Sequence, residues 1–366
     1  FLICSIRFIN ILKIHRTFFY LQRENSMSNN QNPLCYNEMQ VHSIHQETDD
    51  VYTIELIAQD FYPYEPGQYA LVSIRNTPNI VRAYTLSSTP GMSRFVTLTV
   101  RRIKNGVGSN WITSEIKEGD QIWLSDPMGK FTCTRIVSDR YLLVAGGCGV
   151  TPIMSMTRWL LKNKPGVDVV VFYSVHSPKD VIFKREWALL KEQFPQLKLF
   201  INASVDADDG FIAGRLNSQM LSDLVPNIAD YTVLTCGPES YMNDLRAMTE
   251  SLGIPSERFF LEQFHSSAEN CMLDNSKQVT LSITNPVPQT FSIPVGKTLL
   301  AALEEHKAPI IAACREGICG SCKTLVVSGD YEVSSNGPLT EDEIKQGYVL
   351  ACCCQMKGNI SVDLMP

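Results

Sequence analysis

The sequence predicts a multidomain chain: an antiparallel β-barrel, then an α/β unit built on a parallel sheet, then a small α+β unit of the β-grasp kind. Three observations predict it. From Met39 to about Arg135, apolar and polar residues alternate over short stretches, the period of half-buried strands. From about Arg140 to His265, short apolar runs alternate with helical segments, the signature of a parallel sheet. From Gln278 onward, two strands precede one helix and a cysteine-rich loop. The 366 residues suffice for two or three domains.

In the first block, Val51–Ile57 and Phe95–Ile103 carry the clearest alternation, and Pro66-Gly67 and Pro90-Gly91 mark turns. Many short strands with such turns suggest a barrel. In the second block the strands are Tyr141–Ala145, Asp168–Tyr173, Leu197–Ile201 and Tyr231–Thr235, with a helix from Pro152 to Lys162. Ser266–Lys277 is short, polar and unpatterned, and reads as a linker. In the third block, strands Val279–Ile283 and Thr290–Ile293 precede a helix near Leu299–His306, and Thr324–Val327 follows the cysteine loop.

Composition narrows the class. Apolar residues make up 44% and charged residues 19%, ordinary for a globular protein. A net charge of −6 argues against nucleic-acid binding and allows docking to a basic surface. Residues 1–26 begin with Phe1 rather than Met, and their apolar run is broken by Arg7, Lys13, His15 and Arg16. That run suits neither a spanning helix nor a signal peptide. The expectation is a non-native or upstream extension, with an amphipathic anchor as the alternative. No other segment reads as a membrane span.

The richest chemistry lies in Cys314-Arg315-Glu316-Gly317-Ile318-Cys319-Gly320-Ser321-Cys322. Its C-x4-C-x2-C spacing, with further thiols at Cys352-Cys353-Cys354, is that of a plant-type [2Fe–2S] centre held by four thiolates. The alternative is a zinc knuckle, but the paired C-x2-C units of such sites are absent. Twelve cysteines then fit a reducing cytoplasm better than a disulfide framework.

Arg82-Ala83-Tyr84-Thr85 can serve a flavin. Arg82 can clamp phosphate, Tyr84 can stack on the ring, and the Thr85 hydroxyl can reach N5. Gly106-Val107-Gly108-Ser109-Asn110-Trp111 reads as a glycine-rich turn opening a helix, whose amides suit a pyrophosphate. A plain turn with Ser109 as N-cap is the structural alternative. Gly146-Gly147-Cys148-Gly149-Val150-Thr151-Pro152 follows the first parallel strand, where open sheets bind nucleotides. Cys236-Gly237-Pro238 repeats that architecture after a later strand, where the Cys236 thiol can sit near a nicotinamide; a simply buried cysteine is the alternative. Ser174–Asp180 holds no arginine to clamp a 2′-phosphate, so NADH is expected over NADPH.

Arg82-x-Tyr84-Thr85, Gly147-x-Gly149-x-x-Pro152, Cys236-Gly237-Pro238 and the cysteine loop occur in that order. Together they resemble the ferredoxin–NADP reductase superfamily fused to a C-terminal plant-type ferredoxin. The resemblance implies a flavin held by Arg82, Tyr84 and Thr85. It also implies FAD rather than FMN, through the turn with Gly106, Gly108 and Ser109. Pyridine nucleotide would lie on Gly147, Gly149, Thr151 and Pro152, with Cys236, Gly237 and Pro238 facing the transfer site. Phe264 would cover the flavin. Cys314, Cys319, Cys322 and Cys352 would ligate the cluster, the last chosen because it follows Leu350-Ala351. The implied domains are an FAD-binding barrel at 36–137, an NAD-binding unit at 138–265, a linker at 266–276 and a ferredoxin-type domain at 277–366.

Through Pro66–Ser73, Cys148–Met156 and Gly347–Cys352 the chain most resembles, within the superfamily, reductases of the hybrid cluster protein, an acceptor linked to reduction of nitric oxide or hydroxylamine. It implies electron flow from NADH to FAD, to [2Fe–2S], to that protein. The alternatives are the reductase component of a multicomponent oxygenase and a non-catalytic electron carrier or redox sensor.

Overall fold

The computed structural model describes residues 32–365, apart from 78–79, 209, 263–273, 311, 313–314, 316, 318–319 and 337, and apart from the side chains of 274–276. Phe264, Cys314 and Cys319 lie outside the described residues.

Six strands form the first unit: β1 (Asn37–Gln46), β2 (Val51–Ala58), β3 (Tyr69–Ser73), β4 (Val81–Thr85), β5 (Val96–Arg101) and β6 (Gln121–Leu124). Their order is β4-β3-β6-β1-β2-β5, and every pairing is antiparallel. The two edge strands do not stay open. Leu86, just past β4, bridges Leu98 of β5, which closes the sheet and removes its exposed edges. The interior holds Met39, Ile54, Leu56, Val72, Leu86 and Leu98, all buried on alternating strand positions. That alternation is the one read from the sequence.

The second unit adds β7 (Arg140–Gly146), β8 (Asp168–Val175), β9 (Lys198–Ala203), β10 (Ile212–Ala213), β11 (Thr232–Cys236) and β12 (Phe259–Glu262). All are parallel, in the order β10-β9-β8-β7-β11-β12. Helices cover both faces, so the central strands are apolar throughout. Leu142, Leu143, Val144 and Ala145 are all fully buried, as continuous apolar runs in a two-sided sheet must be. The strand order reverses at β7: β8 and β9 lie on one side, β11 and β12 on the other. Open sheets bind ligands at the carboxyl ends beside such a reversal.

The third unit is a mixed sheet of β13 (Asp274–Asn285), β14 (Gln289–Val295), β15 (Lys323–Val333), β16 (Tyr348–Leu350) and β17 (Cys354–Asp363). Its order is β14-β13-β17-β15-β16, with β13 and β17 parallel. Strand β13 begins at Asp274, inside the stretch read as a linker. The helix Leu299–Glu305 packs Leu299, Leu300, Ala302 and Leu303 into the core, and the Thr298 hydroxyl caps it by accepting from Ala301 N. That cap satisfies one of the helix's free amides.

Candidate functional site

The barrel and the parallel-sheet unit meet along the helix Val150–Asn163. Ser155 Oγ donates to Ser88 O at 2.6 Å, and Thr89 Oγ1 donates to Ser155 O at 3.1 Å. Arg158 Nη1 donates to Ser87 O at 2.6 Å while its remaining nitrogens hold Glu186. Ser87–Thr89 directly follows Arg82–Thr85, and the helix opens at the Gly147–Pro152 loop. One interface therefore fixes two of the sequence motifs relative to each other.

On the barrel, Arg82, Tyr84 and Thr85 lie on β4, paired with β3 so that Thr85 stands opposite Tyr69 and Arg82 opposite Val72. Arg82 Nη1 donates to Val81 O at 2.8 Å. The Gly106–Trp111 turn folds onto this strand. A Cβ at Gly108 would stand 2.9 Å from Arg82 Cγ and 3.0 Å from Tyr84 Oη. Two motifs separated in sequence thus share one patch, with an open backbone against a cation and an aromatic ring. The helix here runs from Val107 to Asn110, and Gly106 is its N-cap. Ser109 is inside the helix, where its hydroxyl accepts from Ile103 N and donates to Gly106 O. The structural alternative with Ser109 as N-cap does not hold: the cap lies three residues earlier, at Gly106, which takes the extended cap geometry.

On the parallel sheet, the two strand-end loops touch. Cys236 pairs with Ala145 across β11 and β7. A Cβ on Gly149 would collide with the Cys236 carbonyl and stand 2.7 Å from Gly237 N, and one on Gly146 would meet Pro238 and the Tyr241 ring at 3.0 and 3.1 Å. Gly147 takes a φ of +55°. Thr151 Oγ1 donates back to Cys148 O at 3.1 Å, which holds the loop over the helix start. Tyr241 ties the strand ends together, with its hydroxyl 2.8 Å from Ser174 Oγ, which donates to Asn202 Oδ1 at 2.7 Å.

Glu262 was missed from the sequence. It ends β12, directly beside Cys236 in parallel register, and its Oε1 lies 3.6 Å from the Cβ position at Gly129 of the barrel unit. Its Oε2 is buried with no hydrogen-bond partner. Burial pushes the Glu262 carboxyl well above the usual carboxylate range. Burial also pushes the Cys236 thiol up, and Glu262 adds to that rise. A buried acid with an unmet oxygen, at the junction of the two units, suits a polar ligand group arriving there. Its only sequence signal is that it sits two residues before Phe264.

In the third unit, Cys322 and Cys352 converge, their sulfurs 3.3 Å apart. Gly317 N donates to Cys352 Sγ at 3.1 Å, the kind of amide contact that tunes a metal thiolate. Two thiolates on one tetrahedral metal with bonds of about 2.3 Å stand about 3.8 Å apart, so this pair fits a shared metal with little movement. Gly317 holds a φ of +71°, and a Cβ on it would run into Cys353 Sγ. Only glycine suits both demands. At the rim, Arg315 holds Glu304 through both terminal nitrogens. Cys354 opens β17 opposite Val333 as a fully buried core thiol.

Comparison with known proteins agrees unit by unit. Residues 39–133 match the family model of an oxidoreductase FAD-binding domain, 143–247 that of an oxidoreductase NAD-binding domain, and 283–357 that of a 2Fe-2S iron-sulfur cluster binding domain. Over 326 residues the chain is 51% identical to the NADH oxidoreductase HCR of Escherichia coli strain K12, covering 89% of this chain and 97% of that protein. The chain belongs to the family of that oxidoreductase.

Other similar proteins are more distant. The glycine betaine monooxygenase reductase subunit of Pseudomonas aeruginosa is 29% identical over 87% of this chain and 92% of its own length. The solved phthalate dioxygenase reductase shares the fold at a TM-score of 0.63 and 24% identity, covering 89% of this chain and 97% of its own. The chain is thus an NADH oxidoreductase with FAD and a [2Fe–2S] cluster as its cofactors. Among the described residues no helix is long and apolar enough to cross a membrane.

Proposed function

We propose that this oxidoreductase delivers electrons from NADH to the hybrid cluster protein, in the cytoplasm, in support of nitric oxide or hydroxylamine reduction. The observation that carries the reading is the 51% identity to the NADH oxidoreductase HCR along nearly that protein's whole length. The monooxygenase reductase subunits reach 29% at similar coverage. A bound flavin would supply the conversion of a two-electron hydride into single electrons for a one-electron cluster. The chain's own residues supply position and electrostatics.

Arg82 and the open backbone at Gly108 bind the flavin phosphates, and Tyr84 and Thr85 orient its ring. Gly147, Gly149, Thr151 and Pro152 shape the dinucleotide cradle together with Gly237 and Pro238. Cys236, whose burial keeps its thiol protonated, lines the nicotinamide position without adding charge. Beside it, burial pushes the Glu262 carboxyl up, which favours the protonated form that can donate a hydrogen bond. Cys314, Cys319, Cys322 and Cys352 hold the cluster, and Phe264 shields the flavin. The domain limits are 36–137, 138–265 and 277–366, with 266–276 between the last two.

A redox partner that docks at the cluster rim meets Arg315 and Glu304, a mixed pair about one-third exposed. Such encounters are small and are steered by charge more than deepened by it. The test is anaerobic electron transfer from NADH to purified hybrid cluster protein and, in parallel, to a monooxygenase component. Transfer to the first, weakening at high salt, supports the reading. Transfer to the oxygenase component alone replaces it with the oxygenase-reductase function.

A further inference from the structure

The thiol triplet Cys352-Cys353-Cys354 provides more sulfur than a four-ligand cluster uses. Cys354 is accounted for as a core residue of β17. Cys353 is not. It sits in the single helical turn Ala351–Cys353 between β16 and β17, 5% exposed. Its sulfur stands 3.8 Å from Cys352 Sγ. That is contact distance, so the Cys353 sulfur lies directly beside the ligand position of Cys352. A Cβ added at Gly317, whose amide bonds Cys352, would run into the same sulfur. Ser334 N donates to Cys353 O at 3.0 Å, which pins the turn from the far side. Cys322, Cys352 and Cys353 therefore form a chain of buried sulfurs facing one loop.

We propose that Cys353 is a reserve ligand, able to take the metal position of Cys352 without refolding of the turn. The inference rests on the cluster-loop assignment given above. The exchange is redox-neutral. The metal–sulfur bond to Cys352 breaks, one to Cys353 forms, and a proton passes from the Cys353 thiol to the released Cys352 sulfur. The glycine at 317 is what leaves room for the second sulfur at this distance from the loop. A side chain there would fill its place.

The experiment uses the full chain, purified anaerobically, as wild type, Cys352→Ala, Cys353→Ala and the double variant. Iron per chain and the visible and electron paramagnetic resonance spectra are read. FAD content and NADH-dependent reduction of a small dye check the flavin half in each. Wild type is expected to hold about two irons. Cys352→Ala is expected to keep most of that iron with an all-thiolate spectrum, and the double variant to lose at least fivefold. Loss of iron in Cys352→Ala equal to that in the double variant overturns the proposal.

Should Cys352→Ala not fold, Cys353→Ala decides through its rate of iron loss to a chelator. A rate several-fold faster than wild type supports a reserve thiol that recaptures the metal, and an unchanged rate overturns it. Wild type without iron would instead sink the underlying cluster assignment, an outcome separate from either of these.

Discussion

Gly149 and Cys236 are in backbone contact: a Cβ on the glycine would run into the carbonyl of the cysteine. One residue ends the turn after the first parallel strand, and the other ends a strand almost ninety positions later. Their contact closes the space between the carboxyl ends of β7 and β11, the proposed nucleotide crevice.

Gly149→Ala should therefore damage the crevice. The collision is with backbone, which cannot rotate away as a side chain would. Overpacking of this sort costs about 1–3 kcal/mol. The expected outcome is a rise of the KM for NADH on the order of tenfold or more, with FAD content unchanged because the flavin patch is on the barrel. Steady-state kinetics with a dye acceptor gives the answer, and a KM within twofold of wild type would count against the contact.

Cys236→Ala should slow flavin reduction by NADH while leaving flavin bound. The residue lies at a strand end between Ala145 and Glu262, in the parallel-sheet unit, whereas Arg82 belongs to the barrel strand β4. A slowing on the order of tenfold corresponds to about 1.4 kcal/mol in the barrier. Stopped-flow bleaching of the flavin at an unchanged rate would show Cys236 to be a packing residue only.

Glu262 should make stability pH-dependent. Its folded pKa stands well above 4.5 because burial penalises the anion. Between those two values the folded chain binds a proton that the unfolded chain has released. Its contribution is thus full below about pH 4.5 and is lost as pH rises through the folded pKa. Glu262→Gln removes the ionisation while keeping the shape. The difference in melting temperature between wild type and variant, measured on the FAD-loaded protein, should shift in the variant's favour as pH rises. A difference that stays flat from pH 5 to 9 would contradict a raised carboxyl.

NADH should be preferred over NADPH by at least tenfold in kcat/KM, about 1.4 kcal/mol. The carboxyl ends of β8 and β9 present a neutral chain, Tyr241–Ser174–Asn202. In the following turn Asp180 accepts from Ser177 N and Oγ, and Ser174–Asp180 holds no arginine to clamp a 2′-phosphate. Equal specificity constants for the two nucleotides would sink this prediction.

The sequence by itself determined the three folding units and the cofactor set. The reason is that each signal is local. A period of two marks a barrel strand, and a continuous apolar run marks a strand covered on both faces. Cys314, Cys319 and Cys322 fall within nine consecutive residues, so their spacing already points to a [2Fe–2S] centre. The glycine turns after β7 and β11 are likewise legible, because a strand-to-helix turn is written in consecutive residues.

Only the tertiary structure decided how those signals meet. The closure of the barrel through Leu86 and Leu98 depends on which strands end at the edges. Gly108 comes to lie on Arg82 and Tyr84, and Gly149 on Cys236, through pairings that no short window of sequence contains. Glu262 carries no motif of its own. It is notable because parallel register sets it beside Cys236 and leaves one oxygen unmet. Cys353 reads as one of three identical letters until the turn before β17 aims its sulfur at Gly317 and sends that of Cys354 into the core. Spacing along a chain fixes which groups are available. Distance between groups far apart in sequence is set by sheet register and packing, and the chemistry of this site depends on those distances.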